Sequence, residues 1–349
     1  MASARDVVFA NNYSMTKAFA DVAAGVYPRQ HLYGADALRR NGFDVVVAPY
    51  REAGLVAATS RRLRWRVGDL GQEAYVLRSR RIGYSGEPNS LAGVAYLRAL
   101  RLRRTPLVTV LHTVPRRTAR TRALLRGYDA IVCLSSYVRS ALLDRFDLDP
   151  ARVRWAAWGP ALDFPGYVAG PGERIVSSGK TNRDQATLLR AMAGLPGVVY
   201  ARSPRSLPVV PGVELVTDET HEDRVVPGGP KFSYGHVLED LVTASVIAIP
   251  LKDPAKISGL SELNDALALG KPVVVTRTPH LADVDVEAIG CGWWVDAGDV
   301  DGWRAALTKL HDDPALRERM GAAGRAFAES SWNADVFGAA VVDAVRAVS

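Results

Sequence analysis

The sequence predicts an α/β protein built from two successive doubly wound domains. Short all-apolar runs alternate with amphipathic stretches, a Gly/Pro-rich interruption divides the chain near its middle, and there are 349 residues. A chain of that length exceeds what one hydrophobic core usually holds. Apolar strands separated by helices argue for a parallel sheet covered on both faces.

The first strand is read at Asp6 to Ala10, followed by a polar turn at Asn11 and Asn12. A helical pattern runs from about Gln30 to Arg40 and stops at Gly42, a natural helix terminator, before the strand FDVVVAP. Leu91 to Leu102 is helical, Pro106 breaks it, and LVTVLH is a buried strand ending at His112. YDAIVCLS follows as a strand, then the helix SYVRSALLDRF, capped by Ser135 or Ser136. Residues 158–172 carry no periodicity, and the boundary is placed there: a first domain over 1–160, a linker over 161–172, and a second domain from 173. Beyond it the strands ERIVSS, GVVYAR, SVIAIPL and KPVVVT alternate with helices, and the chain closes in three helical stretches. Two such domains imply a cleft lined by the carboxyl ends of their strands.

No apolar run reaches the roughly 18 residues of a membrane span. The N-terminus lacks the layout of a signal peptide, and Cys133 and Cys291 lie apart in apolar stretches that match no metal or redox spacing. These features predict a cytoplasmic protein. Neither HExxH nor clustered cysteines occur, so a metal hydrolase is disfavoured and no metal site is expected. No nucleophile–histidine–acid arrangement has supporting loop context.

Residues 1–150 hold 24 Lys and Arg against 12 Asp and Glu, a balance of +12, so the net +7 leaves −5 for the remainder. Clusters occur at Arg61, Arg62, Arg64 and Arg66 around Trp65, at Arg78, Arg80 and Arg81, and from Arg98 to Arg126. Such a field suits an anionic acceptor or a peripheral contact with an anionic membrane, and equally an ordinary solvated face. No nucleic-acid recognition module accompanies it, so no nucleic-acid partner is expected.

Two loops hold candidate chemistry. SSGKTNRD, Ser177 to Asp184, lies between a strand and a helix; Gly179 allows a tight turn, while Lys180 and Arg183 set cations beside helix-terminal amides. That combination suits a diphosphate, although the loop has neither the GxxxxGK[ST] nor the GxGxxG form. In ISGLSELNDALALGKPVVVTRTP, Ser258, Gly259, Leu260 and Ser261 precede or open a helix whose amides would face the cleft. Glu262 and Asp265 are three apart on it, near one face, and a carboxylate at Asp265 can accept both hydroxyls of a ribose. Ser261 as a mere N-cap and Glu262 as ordinary first-turn charge remain open alternatives. So does a structural role for His112, and for His31 in PRQHLYG.

SELNDALALGKPVVVTRTP resembles the signature of retaining two-domain glycosyltransferases of the GT-B type, specifically family 4, whose usual form is E-G-F-G-x-x-x-x-E-A-x-A-x-G-x-P-V-V. VSSGKTNRDQATLLRA, YDAIVCLSSYVRSALLDRF, VRWAAWGPALDF and LHDDPALRERMGAAGRAFAESSW resemble further stretches of that family, so the likeness spans nearly the whole chain. It implies a GT-B fold with an acceptor-binding first domain, a nucleotide-sugar-binding second domain over 173–331, and a helix over 332–349 crossing back to the first. It implies that Lys180 and Arg183 hold the donor diphosphate, that His112 contacts the donor sugar, and that Gly259, Leu260 and Ser261 offer backbone donors. Asp265 takes the place of the second glutamate of the E-x7-E pair, which holds the donor ribose. The first falls on Ile257, which has no carboxylate, so Ser258 or Glu262 substitutes for it or the donor sugar is bound differently. The implied reaction moves a sugar from a nucleoside diphosphate donor, UDP-linked in the expected case, to a hydroxyl of a glycan, a lipid-linked saccharide or a small molecule. It proceeds without metal or other cofactor. A nucleotide-sugar epimerase of the same fold and a catalytically impaired nucleotide-sugar-binding protein are the alternatives.

Overall fold

The computed structural model describes residues 6–51, 53–63, 68–219 and 234–349. The chain divides into two compact units, one of residues up to Gly159 together with Asn333–Ser349, the other Pro160–Trp332. The arginines around Trp65 fall largely outside the described residues.

The first unit runs β1 (Asp6–Ala10), α1 (Met15–Ala23), α2 (Ala35–Arg40), β2 (Asp44–Val47), α3 (Leu55–Leu63), α4 (Leu70–Ser79), β3 (Ile82–Ser85), α5 (Ala92–Ala99), β4 (Leu107–Leu111), α6 (Ala119–Arg126), β5 (Ala130–Cys133), α7 (Ser136–Arg145) and β6 (Val153–Trp155). Its parallel sheet has the order β2-β1-β3-β4-β5-β6. Connections from β1 and β3 leave in opposite directions, which makes the gap between these strands the topological switch point. Val8, Leu107, Ile131 and Val153 of the sheet pack with Val76, Leu91, Leu125 and Val138 of the helices, all of them buried. Each such side chain contributes about 1.5–3 kcal/mol relative to exposure.

The second unit runs β7 (Arg174–Ser177), α8 (Gln185–Ala191), β8 (Gly197–Ala201), β9 (Val213–Thr217), α9 (Tyr234–Val242), β10 (Ala244–Ile249), α10 (Leu260–Leu269), β11 (Val273–Thr276), α11 (Val286–Ile289), β12 (Gly292–Val295), α12 (Val300–Asp312) and α13 (Pro314–Ser330). Its parallel sheet has the order β12-β11-β10-β7-β8-β9, with the switch point between β7 and β10. The core joins Ile175, Val199, Val246 and Val274 to Leu188, Trp303 and Leu307.

The last helix, α14 (Ala334–Arg346), packs in the first unit against α2. A Cβ on Gly338 would lie 2.6 Å from the Cβ of Ala37, so the two helices approach as closely as small residues permit. Asp335 anchors the start of α14 to Arg29 at 2.8 Å and Arg40 at 3.0 Å.

Some local readings need correction. The single helix expected over Gln30–Arg40 is a 3-10 turn at Arg29–Leu32 followed by α2, because Tyr33 and Gly34 adopt φ of 51° and 77° and break the hydrogen-bond ladder. Residues 161–172, expected as a linker, pack into the second unit: the Lys271 ammonium donates to the Gly170 carbonyl at 2.8 Å, and the Phe164 and Tyr167 rings meet edge-on. Proline and glycine there mark irregular backbone, which can be packed as tightly as a helix.

Candidate functional site

In the second unit the loops after β7 and β10 flank the switch point and are stitched together. The Asn182 amide donates to the Asp253 carbonyl and accepts from the Asp253 N–H, at 2.9 and 3.0 Å, and the Asp184 N–H donates to the Pro250 carbonyl at 2.9 Å. Asp184 then caps α8 by accepting from the Thr187 N–H. Four of the predicted residues come together here. The Glu262 carboxylate accepts from the Ser178 N–H at 2.6 Å, the Ser178 hydroxyl at 2.9 Å and the Gly179 N–H at 3.2 Å. Its other oxygen accepts from the Arg183 guanidinium at 2.7 Å, with both side chains about 5% exposed. Arg183 also donates to the Ser258 hydroxyl at 3.0 Å. A side chain on Gly179 would overlap the guanidinium, so glycine there makes room for Arg183 as well as for the turn.

Glu262 is therefore neither mere first-turn charge nor, in this structure, a free substitute for the carboxylate missing at Ile257. Its carboxylate occupies the meeting point of two loop amides and a guanidinium, which is the donor set an oxyanion requires. Lys180 turns away from this cluster and pairs with Asp218, beyond β9, at 2.8 Å. Ser261 does not cap the helix: Gly259 holds the N-cap position of α10 and Ser261 is exposed in its first turn.

Gly259 has φ +91°, and a Cβ there would stand 2.7 Å from the Ile249 side chain. The reason for glycine is thus the left-handed turn and the packing beneath it. Gly259→Ala is expected to lower stability by about 1–2 kcal/mol, read as a shift in the denaturation midpoint; an unchanged midpoint would refute that reason.

One helical turn further on, Asp265 is buried and accepts from the Tyr167 and Tyr234 hydroxyls at 2.7 and 2.9 Å. Burial raises its carboxyl from 3.8 to about 7, against the lowering effect of those hydroxyls. Because the folded value is raised, the folded state binds the extra proton. Its favourable contribution is complete below pH 4 and is lost as pH rises through about 7. Asp265→Asn should flatten the fall in stability between pH 4 and pH 8, measured by thermal unfolding across that range. An equally steep fall in the variant would remove Asp265 as its source.

His112 belongs to the first unit, just past the end of β4. Its Nε2–H donates to the Gly86 carbonyl at 2.7 Å, which leaves Nδ1 as acceptor, and Tyr33 meets the ring edge-on at 5.2 Å. Burial lowers its pKa, so the imidazole is neutral near pH 7. His31 is stacked on Tyr27 and pressed against Trp158, and burial lowers its pKa to about 4. Those contacts make it part of the packing. Cys133 and Cys291 are buried free thiols pushed up to about 12, the opposite of an activated thiolate. Among the described residues no group of three or more His, Cys, Asp or Glu is placed to hold a metal ion, and no helix is long and apolar enough to cross a membrane.

The fold is shared with known proteins. The structure matches HepE of Anabaena, solved with UDP and glucose, at a TM-score of 0.70 and 13% identity over 98% of this chain and 100% of that one. Sucrose-phosphate synthase of Thermosynechococcus elongatus matches at a TM-score of 0.69 and 14% identity over 99% of each chain. The fold is GT-B. Within this GT-B chain, the model for Glycosyltransferase Family 4 matches residues 88–158 and that for Glycosyl transferases group 1 matches residues 261–327. A GDP-mannose-dependent monoacylated alpha-(1-6)-phosphatidylinositol monomannoside mannosyltransferase of Corynebacterium glutamicum is 28% identical over 167 residues. That match spans 45% of this chain and 42% of the mannosyltransferase, less than half of either.

Tyr167, Tyr234 and Asp218 were not anticipated from sequence. They lie 98, 31 and 38 residues from their partners, and nothing local to a tyrosine or an aspartate announces such a pairing.

Proposed function

We propose that this GT-B protein is a glycosyltransferase that takes a sugar from a nucleoside diphosphate donor, UDP-linked in the expected case. The sugar passes to a hydroxyl acceptor with retention at the anomeric carbon. The observation that carries the reading is the cradle at the switch point of the second unit, where the Ser178 and Gly179 amides and Arg183 converge on one carboxylate. In the proposed reaction positive charge develops on the sugar and negative charge on the leaving diphosphate, and the loop amides, Lys180 and Arg183 stabilise the latter. Asp265 serves the donor ribose, and Gly259, Leu260 and Ser261 offer N–H groups at the opening of α10. Neutral His112, with Nδ1 free to accept from a hydroxyl, attends the donor sugar. The leaving diphosphate helps to accept the acceptor proton, so no separate base is assigned.

The likeness to HepE, solved with UDP, supports a uridine donor, and the partial likeness to the GDP-mannose-dependent enzyme makes guanosine the competitor to test. Calorimetric titration with UDP, GDP, ADP and TDP, with magnesium and with chelator, is the test. Tight binding of UDP in both conditions is expected, together with slow hydrolysis of the matching sugar donor in the absence of acceptor. Failure of all four nucleotides to bind would overturn the reading. Two observations favour a second reading, a nucleotide-sugar-binding protein without turnover. Both cations already carry counter-ions, and Ile257 stands where a carboxylate is usual. Binding without hydrolysis or transfer would select it.

A further inference from the structure

The first unit contains a cavity of about 800 Å³ built from the segments that follow β1, β2, β3 and β4, at the carboxyl ends of the strands and beside its switch point. Its charged lining is unevenly committed. Asp69 and Glu87 are already spent locally: Asp69 accepts from the Gln72 N–H at the start of α4, and Glu87 accepts from the Asn89 N–H and side-chain amide. Arg120 lies over the Tyr96 ring and donates to its hydroxyl at 2.9 Å. Arg51 and Arg116 also line the cavity, are exposed, and form no ion pair among the described residues. Ser90 adds an independent sign. It is 4% exposed and lines the same cavity, and its hydroxyl oxygen is buried without a hydrogen-bond partner among the described residues. A buried hydroxyl left unpaired is costly, and a ligand hydroxyl would satisfy it.

We propose that this cavity binds an acidic polyol, a sugar or cyclitol carrying a phosphate or carboxylate, and that this is the acceptor class of the enzyme. The anionic group lies against Arg51 and Arg116, and Ser90 takes a ring hydroxyl. Arginine suits the first task because its planar fork meets phosphate or carboxylate oxygens two at a time. The assignment of the ligand as acceptor rests on the glycosyltransferase reading; the binding site itself does not. A soluble acidic sugar and an acidic lipid headgroup present the same chemistry.

The full-length protein would be titrated calorimetrically with hexose 6-phosphate, hexuronic acid and neutral hexose. It would also be sedimented with phosphatidylcholine vesicles with and without phosphatidylinositol. Saturable binding of an acidic probe but not of the neutral hexose is expected, weakened by added salt. Arg51→Gln with Arg116→Gln should weaken it about tenfold or more while leaving UDP affinity unchanged. Preference for hexose 6-phosphate or hexuronic acid identifies a soluble acceptor, and preference for phosphatidylinositol vesicles a lipid-borne one. Equal binding of neutral and acidic sugars, no binding of any acidic probe, or a double variant that binds like the parent would each overturn the proposal. If the acidic probe binds and no nucleotide does, the donor reading fails and this site stands; the converse isolates failure here.

Discussion

Replacing Glu262 by alanine is expected to destabilise the protein by about 3–5 kcal/mol, the range for breaking a buried ion pair by removing one partner. The size follows from what would be left behind. Arg183 has 5% of its side chain exposed, and its Nε already lacks a partner among the described residues. The Ser178 and Gly179 N–H groups and the Ser178 hydroxyl would lose their acceptor together. A buried guanidinium left without its carboxylate keeps the full cost of its lost partner. Glu262→Gln keeps a carbonyl for the amides and should cost clearly less. A paired Glu262→Leu, Arg183→Met variant, which removes both charges, should recover much of the loss, because desolvation is then avoided on both sides. Chemical denaturation of the parent and the three variants provides the comparison. A loss below about 1 kcal/mol for Glu262→Ala would mean that solvent or a shifted loop takes over the pairing. Nucleotide offers a second readout: if its diphosphate uses the same amides, it must displace Glu262, and saturating nucleotide should narrow the gap between parent and variant.

The architecture was largely legible because it depends on local pattern. VVFA, LVTVL, AIVC and SVIAI are apolar for a strand length and no more, and each became a buried parallel strand. Gly270 ends α10 at φ +60°, a conformation glycine adopts without strain. Less was legible where composition hid the period. The arginine-rich stretches that hold α3 and α6 read as charged faces, which hides their helical period. In the second unit the sequence singles out two loops, and Gly179 and Gly259 do sit at strand-to-helix turns. It does not reveal how the charges inside them are shared. Glu262 and Asp265 look alike in sequence, three residues apart on one helix. One is tied to a cation and loop amides, the other to two tyrosine hydroxyls. That division is set by Arg183, Tyr167 and Tyr234, brought in by other elements, and no spacing rule within α10 foretells it.

Lys180→Ala is expected to lower turnover by about 10²–10³-fold, as removal of one preorganised group that stabilises developing negative charge does. Stability should change little. Lys180 lies in a loop, its partner Asp218 is 22% exposed, and after the substitution that carboxylate can be met by water. Under the proposed reaction, this contrast with Glu262 would separate a residue that acts on the leaving group from one that holds the loop. Asp218→Asn sharpens the test, since it removes the counter-charge and leaves the ammonium in place. If Asp218 merely restrains Lys180 before the donor arrives, its loss should preserve nucleotide affinity and most of the turnover. If the pair instead acts as a unit in orienting the ammonium, both variants should lose turnover together. Single-turnover kinetics under saturating donor would read the difference, because release steps are then excluded. Unchanged turnover in Lys180→Ala would move the diphosphate away from this loop, leaving Arg183 as a structural cation for Glu262 and the cradle as an internal brace.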